Sequence, residues 1–256
     1  MLFDTHAHMT DEKYSEDRDD LLEKISQSDV KYIVNPGVDI PSSLEAIELA
    51  KRYNFIYAAV GIHPHEASGA DEDSISRLRE LSKSDKVVAI GEIGLDYHYE
   101  FSPRDVQKDI FIRQIELANE TGLPIIVHDR DAHADTFSII KKYKAAGIGC
   151  VLHCYSGSRE MAMEYVKLGC HISIAGPVTF KGNNKTAEVV REIPPERLLI
   201  ETDSPYLTPV PFRGKRNDPT KVEHVAAMIA QIRGLSYEQV CRQTSENALN
   251  FFNIKK

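Results

Sequence analysis

The sequence predicts the α/β class, as a single-domain (β/α)8 TIM barrel spanning residues 1–256. Three observations predict it. Strand-like and helix-like runs alternate eight times. No Pro/Ser-rich linker, low-complexity tract or repeat marks a boundary. A chain of 256 residues is about the usual size of such a barrel.

In chain order, the expected strands are Leu2 to His8, Tyr32 to Pro36, Phe55 to His63, Val87 to Ile93, Pro124 to His128, Gly149 to Tyr155, Cys170 to Ala175 and Leu198 to Asp203. Each is a short apolar run rich in residues that pack on a pleated surface. The runs between them carry helix signals. In "SPRDVQKDIFIRQIELANETG", Ser102 suits the N-cap, Pro103 the first helical position and Gly122 the exit. Gly234 closes a later helix, and "SYEQ", Ser236 to Gln239, is a capping-box match that opens the last. The rival architecture is an open doubly wound sheet. A nucleotide-binding sheet of that kind carries G-x-G-x-x-G after its first strand, and here that place holds "HAHMTD".

Composition narrows the function classes. With 42% hydrophobic and 27% charged residues, the chain can bury a sizeable core. A net charge of -8 argues against coating duplex nucleic acid with the whole surface, and leaves room for a local phosphate site. The N-terminus has no basic segment leading into an apolar run, and the most apolar stretch, "FIYAAVGI", is too short to span a bilayer. A cytoplasmic protein with no membrane association is expected. Cys150, Cys154, Cys170 and Cys241 form no C-x-x-C pair, which fits a reducing compartment and a role as small buried hydrophobes.

The chemistry collects at one end of the expected strands. "FDTHAH" places Asp4, His6 and His8 at alternate positions, so in a strand they share one face. Later strand ends supply Glu92 in "GEIGLDY", His128 in "VHDR", His153 in "HCYSG" and Asp203 in "ETDSPYL". In a barrel these ends form the catalytic face. His6, His8, Glu92, His128, His153 and Asp203 are therefore candidate metal ligands. An isolated H-x-H, or a single carboxylate at a strand end, is often structural; six on one rim are not.

This donor set exceeds what one tetrahedral ion needs and points to two divalent ions, with Glu92 as the natural bridge. Mixed imidazole and carboxylate donors suit Zn or Mn, and the carboxylates let Mg compete. Such a pair generates a nucleophile from water and stabilises a leaving oxygen. Asp203 is the candidate to orient and deprotonate that water. Asp4 and Glu201 have the parity of groups that orient the ligands.

Substrate contacts are expected from basic and aromatic groups at the same rim. His63 and His65 flank Pro64 in a loop, Arg130 neighbours His128, Lys181 and Lys185 follow the seventh strand, and Arg213, Lys215 and Arg216 follow the eighth. The last two loops often bind phosphate in barrels, although solvated loops are equally basic. Tyr97 and Tyr155 could stack on a base, but Tyr at a strand end more often packs. His98, His133, His171 and His224 read as surface or core residues.

Taken in order, "DTHAH", "GIHPH", "GEIGLDY", "VHDR", "HCYSG" and "ETDSPYL" make the chain resemble the TatD family of metal-dependent deoxyribonucleases over nearly its whole length. The resemblance implies a TIM barrel of the wider amidohydrolase group. It implies one metal at His6, His8, Glu92 and Asp203, and a second at Glu92, His128 and His153. It also implies hydrolysis of phosphodiester bonds in DNA, typically 3′ to 5′ on single strands or ends and in some members at abasic sites. His63, His65, Arg130 and the basic loops would then contact substrate. Asp129 departs from the small residue common after the His of "VHDR". Many amidohydrolase relatives bridge their metals with a carboxylated Lys, where this chain supplies Glu92. The competing expectations are an amide, lactone or aminoacyl-ester hydrolase on the same centre, and a metal-binding regulator without turnover.

Overall fold

Short, largely buried apolar runs form the sheet, as expected where helices cover a parallel sheet. The computed structural model describes residues 1–143 and 145–255. Its strands are β1 (Leu2–Asp4), β2 (Val30–Pro36), β3 (Ile56–Val60), β4 (Val87–Asp96), β5 (Ile125–Arg130), β6 (Cys150–Leu152), β7 (His171–Ile174) and β8 (Leu198–Ile200). They make one 8-stranded sheet in the order β1 to β8. The recorded ladders β1/β2, β3/β4, β4/β5, β5/β6 and β7/β8 are all parallel. Helices α1 (Arg18–Ser26), α2 (Ile40–Arg52), α3 (Ser74–Leu81), α4 (Arg104–Thr121), α5 (His133–Lys142), α6 (Arg159–Leu168) and α7 (Asn184–Glu192) alternate with the strands; α8 (Val222–Arg233) and α9 (Tyr237–Phe251) follow β8. This is the predicted (β/α)8 barrel. No helix of the described residues is long and apolar enough to cross a membrane.

Several strands end before the expected residue, β3 at Val60 rather than His63 and β6 at Leu152 rather than Tyr155 among them, and at two further ends the cause is specific. β1 stops at Asp4 and β8 at Ile200, so His6, His8 and Asp203 lie beyond the ladder and not on it. The Asp4 carboxylate accepts from the backbone of His6 (3.3 Å) and of Thr202 (2.9 Å), taking N–H groups that a regular ladder would use. Conversely, β4 and β5 run on to Asp96 and Arg130. Gly94 (φ +145) permits this, because a Cβ there would lie 2.0 Å from the His128 carbonyl oxygen.

The helix signals largely hold. Gly122 and Gly234 end α4 and α8 in the left-handed region, and Ser236 and Gln239 form the capping box of α9. Ser102 is a correction. Pro103 occupies the N-cap of α4, and the Ser102 hydroxyl instead donates to the His65 carbonyl and accepts from the Ser68 amide, both at 2.9 Å.

Contacts group the chain into two compact units. The first comprises Met1–Asn35, Cys154–Val166 and Ile172–Lys256. In it Phe3 stacks on Tyr32 and Phe252, and the buried Tyr14 hydroxyl donates to the Asn217 carbonyl at 2.7 Å. The second comprises Pro36–His153 and Lys167–His171. There two buried glutamines of α4 clamp backbone: Gln114 bonds both the amide and carbonyl of Ile62, and Gln107 bonds both of Asp96. Such clamps satisfy polar backbone at and just beyond strand ends. Cys150, Cys170 and Cys241 are buried, Cys154 is half-buried, and all four are free thiols.

Candidate metal centre

In the first unit, the segment after β1 and the loop after β8 bring three donors together. His6 Nε2 and His8 Nε2 lie 3.1 Å apart, and Asp203 Oδ1 is 3.8 Å from the first and 3.5 Å from the second. Two ligand atoms each about 2.0–2.2 Å from one ion sit roughly 3–4 Å from one another, depending on the angle between their bonds. The donors fit one cation. Backbone bonds hold the arrangement: the Asp203 amide donates to the His6 carbonyl (2.9 Å) and the His8 amide to the Ser204 carbonyl (2.8 Å). Asp203 adopts φ 54, in the left-handed region that Asp tolerates better than most side chains.

Behind them, Asp4 also accepts from the Thr202 hydroxyl at 2.5 Å, and Glu201 Oε1 accepts from the Cys154 amide at 2.6 Å. Burial pushes the Asp4 carboxyl up to about 8 against the pull of these hydrogen bonds. Asp4 thus acts on the backbone that carries His6.

In the second unit, β4, β5 and the ends of β3 and β6 converge on Glu92. Its Oε1 lies 2.7 Å from His128 Nδ1, 2.8 Å from His153 Nε2 and 3.4 Å from His63 Nε2. His128 Nδ1 and His153 Nε2 are 3.3 Å apart. Each of the three nitrogens approaches the same carboxylate oxygen, and the ligand atoms of His63, Glu92 and His128 lie close enough together to hold one ion. Burial pushes His63 down to about 4, with Glu92 opposing it, so its ring is neutral and able to donate a lone pair near pH 7.

Asp96 is the group that the sequence reading did not single out. Its Oδ2 lies 3.0 Å from His128 Nε2 and 2.9 Å from His65 Nε2, and its Oδ1 accepts from the amides of His98 and Tyr99. Burial alone would raise this carboxyl, but the His128, Tyr99 and His65 bonds outweigh it and hold it well below the usual range. Burial disfavours charge on His128, yet its bonds to Asp96 and Glu92 prevail and raise it. A carboxylate can only accept, so Asp96 fixes His128 with Nε2 as donor and turns Nδ1 toward Glu92.

The basic and aromatic candidates divide. Arg130 lies over the Tyr99 ring at 4.7 Å, and Arg213 over Phe180 at 3.7 Å. Lys181, Lys185 and Lys215 are exposed. Arg216 grips both carboxylate oxygens of Asp17, at 2.8 and 2.5 Å, and the Lys13 carbonyl at 2.6 Å. The Tyr97 hydroxyl donates to Asp135 and that of Tyr155 to the Ser158 carbonyl, which gives both packing partners. His133 pairs with Asp129 at 2.8 Å, and His98 with Asp131 at 3.1 Å.

Comparison with known proteins decides the family. The TatD related DNase family matches residues 3–253. The chain belongs to the TatD family. A Bacillus subtilis relative, the uncharacterized metal-dependent hydrolase YabD, is 48% identical and aligns over 99% of this chain and 100% of its own. The 3′-5′ ssDNA/RNA exonuclease TatD of Klebsiella pneumoniae is 33% identical over 99% and 98% of the two chains. Among solved structures, YJJV, a TatD homolog from Escherichia coli K12, superposes with a TM-score of 0.93 at 30% identity, over 99% of this chain and 98% of its own. As a TatD family member the protein is a metal-dependent hydrolase, and His6, His8 and Asp203, and His63, Glu92 and His128, are among its candidate metal ligands.

Proposed function

We propose that residues 1–256 act as one catalytic domain that hydrolyses phosphodiester bonds in DNA, working from the 3′ end of single strands, with abasic sites as a further substrate. Two divalent ions are assigned, one to His6, His8 and Asp203 and one to Glu92, His128 and His153. Mg, Mn and Zn are the candidates. When bound, such ions activate water and stabilise the leaving oxygen. Asp203 is proposed as the base that takes the water proton, and Glu92 as the carboxylate on which the second group of imidazoles is built. His63, His65, Arg130, Lys181, Arg213 and Lys215 are proposed substrate contacts. Arg216, held by Asp17, is assigned to shaping the loop that carries Arg213 and Lys215.

The observation that carries the reading is the convergence of His63, His128 and His153 nitrogens within 3.4 Å of a single Glu92 oxygen. Several imidazoles around one carboxylate suit a cation far better than they suit one another. The name of the Klebsiella relative supports nucleic acid as the substrate class.

The test is a panel of end-labelled single-stranded DNA, an abasic duplex, an aminoacyl-RNA and simple amides, each assayed with Mg, Mn and Zn and after chelation. Shortening of the single strand from its 3′ end with metal, and none after chelation, is expected. Intact DNA under every metal, with an ester or amide cleaved, overturns the assignment.

A further inference from the structure

The two most exposed large apolar side chains among the described residues are neighbours. Phe101 is 67% exposed and Tyr99 49%. Both belong to the loop between β4 and α4, and their rings stack with centroids 5.3 Å apart and planes inclined by 15°. The Arg130 guanidinium covers Tyr99 at 4.7 Å, and the His65 ring stands edge-on to Tyr99 at 5.5 Å and to Phe101 at 4.8 Å. Leaving this much aromatic surface in water costs free energy, yet the loop is firmly held. Asp96 Oδ1 takes the amides of His98 and Tyr99, and Ser102 is bonded to the His65 carbonyl. The same Asp96 carboxylate holds His128, whose ring lies 6.2 Å from that of His65.

We propose that Tyr99 and Phe101 form a stacking platform for an unpaired base of a single-stranded nucleic acid, with Arg130 as its cationic partner. The proposal rests on the phosphodiesterase reading and adds how the strand is gripped. Three features select this occupant. A flat stack of two rings offers a π-face to any base, which suits a strand read without sequence preference. A guanidinium over the stack adds cation–π attraction and places positive charge where a phosphate backbone passes, on a chain whose net charge is -8. The patch is also small: two aromatic side chains bury about 150–250 Å² each, well short of the roughly 800 Å² per partner of a stable protein interface. Because Asp96 pins both the platform loop and His128, a base seated on Phe101 holds its neighbouring phosphodiester beside the Glu92 group.

Fluorescence anisotropy of a 5′-labelled single-stranded oligonucleotide, measured under chelation so that nothing is cleaved, tests this. Phe101→Ala and Tyr99→Ala should each weaken Kd about 10-fold, Phe101→Trp should restore it, and Leu235→Ala, at an exposed apolar residue of the α8–α9 turn, should leave it unchanged. With the terminal bases replaced by abasic residues, the Phe101→Ala effect should shrink below about 3-fold. No binding by the wild type, no loss in either Ala variant, or an equal loss on intact and abasic strands would overturn the platform. Cleavage with added metal is scored separately. Platform-dependent binding without cleavage sinks the nuclease reading alone, and cleavage with unchanged binding in the variants sinks the platform alone.

Discussion

The Asp96 carboxylate and the His128 imidazole meet at 3.0 Å, on the side of the ring opposite the nitrogen that faces Glu92. This pairing makes Asp96 a positioning residue. Asp96→Asn keeps the shape and removes the charge that orients the ring. Metal affinity of the second group should fall about 10- to 100-fold, read by competition against a fluorescent chelator. Restored activity at saturating metal separates this from misfolding, and unchanged affinity would remove Asp96 from the site.

Glu92→Ala and Asp203→Ala are expected to reduce turnover by more than about 10³-fold with every metal tested, with circular dichroism unchanged. Loss of only one of two bound ions in each variant, measured by elemental analysis, would match the assignment of the two groups. Full metal content and full activity in either variant contradicts it.

The basic loops make a graded prediction. Each phosphate contact on a single strand contributes about 0.7 to the slope of log affinity against log salt. Arg213→Ala and Lys215→Ala should each flatten the slope by about that amount. Arg216 is committed to Asp17, whose carboxyl it holds below the usual range. Asp17→Asn should leave the slope unaltered and lower stability by less than about 1 kcal/mol, as exposed ion pairs do. The sign follows from a depressed carboxyl: the gain is present above pH about 4 and is lost as pH falls through the lower folded value.

His63 gives the opposite kind of titration. Its folded pKa of about 4 lies below the ordinary 6.5, so between these values the unfolded chain binds the extra proton. The contribution is present above pH 6.5 and disappears as pH falls toward 4, on the order of 3 kcal/mol in the metal-free protein. Thermal melts of wild type and His63→Asn under chelation, taken across this interval, should converge at the acid end. Parallel curves would refute the coupling.

The barrel was legible, and so were most of the residues that the two groups bring together, because each motif sits at the end of a recognisable apolar run and residue type is a local property; His63 was read as a substrate contact, yet it lies in the Glu92 group. What escaped is not local. Asp96 shares parity with Glu92, but the fourth strand was expected to end at Ile93; only the approach of Gly94 to the His128 carbonyl, invisible in one dimension, carries the strand on. His6 and His8 were read on a strand that in fact ends at Asp4, because a buried side chain intercepts the ladder there. Arg216 lies 199 residues from Asp17, and no local charge pattern announces such a partner. The exposure of Tyr99 and Phe101 likewise depends on how their loop is tied down, and tyrosine in sequence looks the same packed or bare.

The bond from Asp4 to Thr202 joins positions 198 residues apart within a single compact unit. Chain synthesis therefore delivers the opening segment long before the residues that complete its environment. Until Thr202 has left the ribosome, that early carboxyl has neither the amide nor the hydroxyl it later accepts from. Nascent chains halted short of that point should remain protease-sensitive at their N-terminus, and the first unit should gain resistance in one late step.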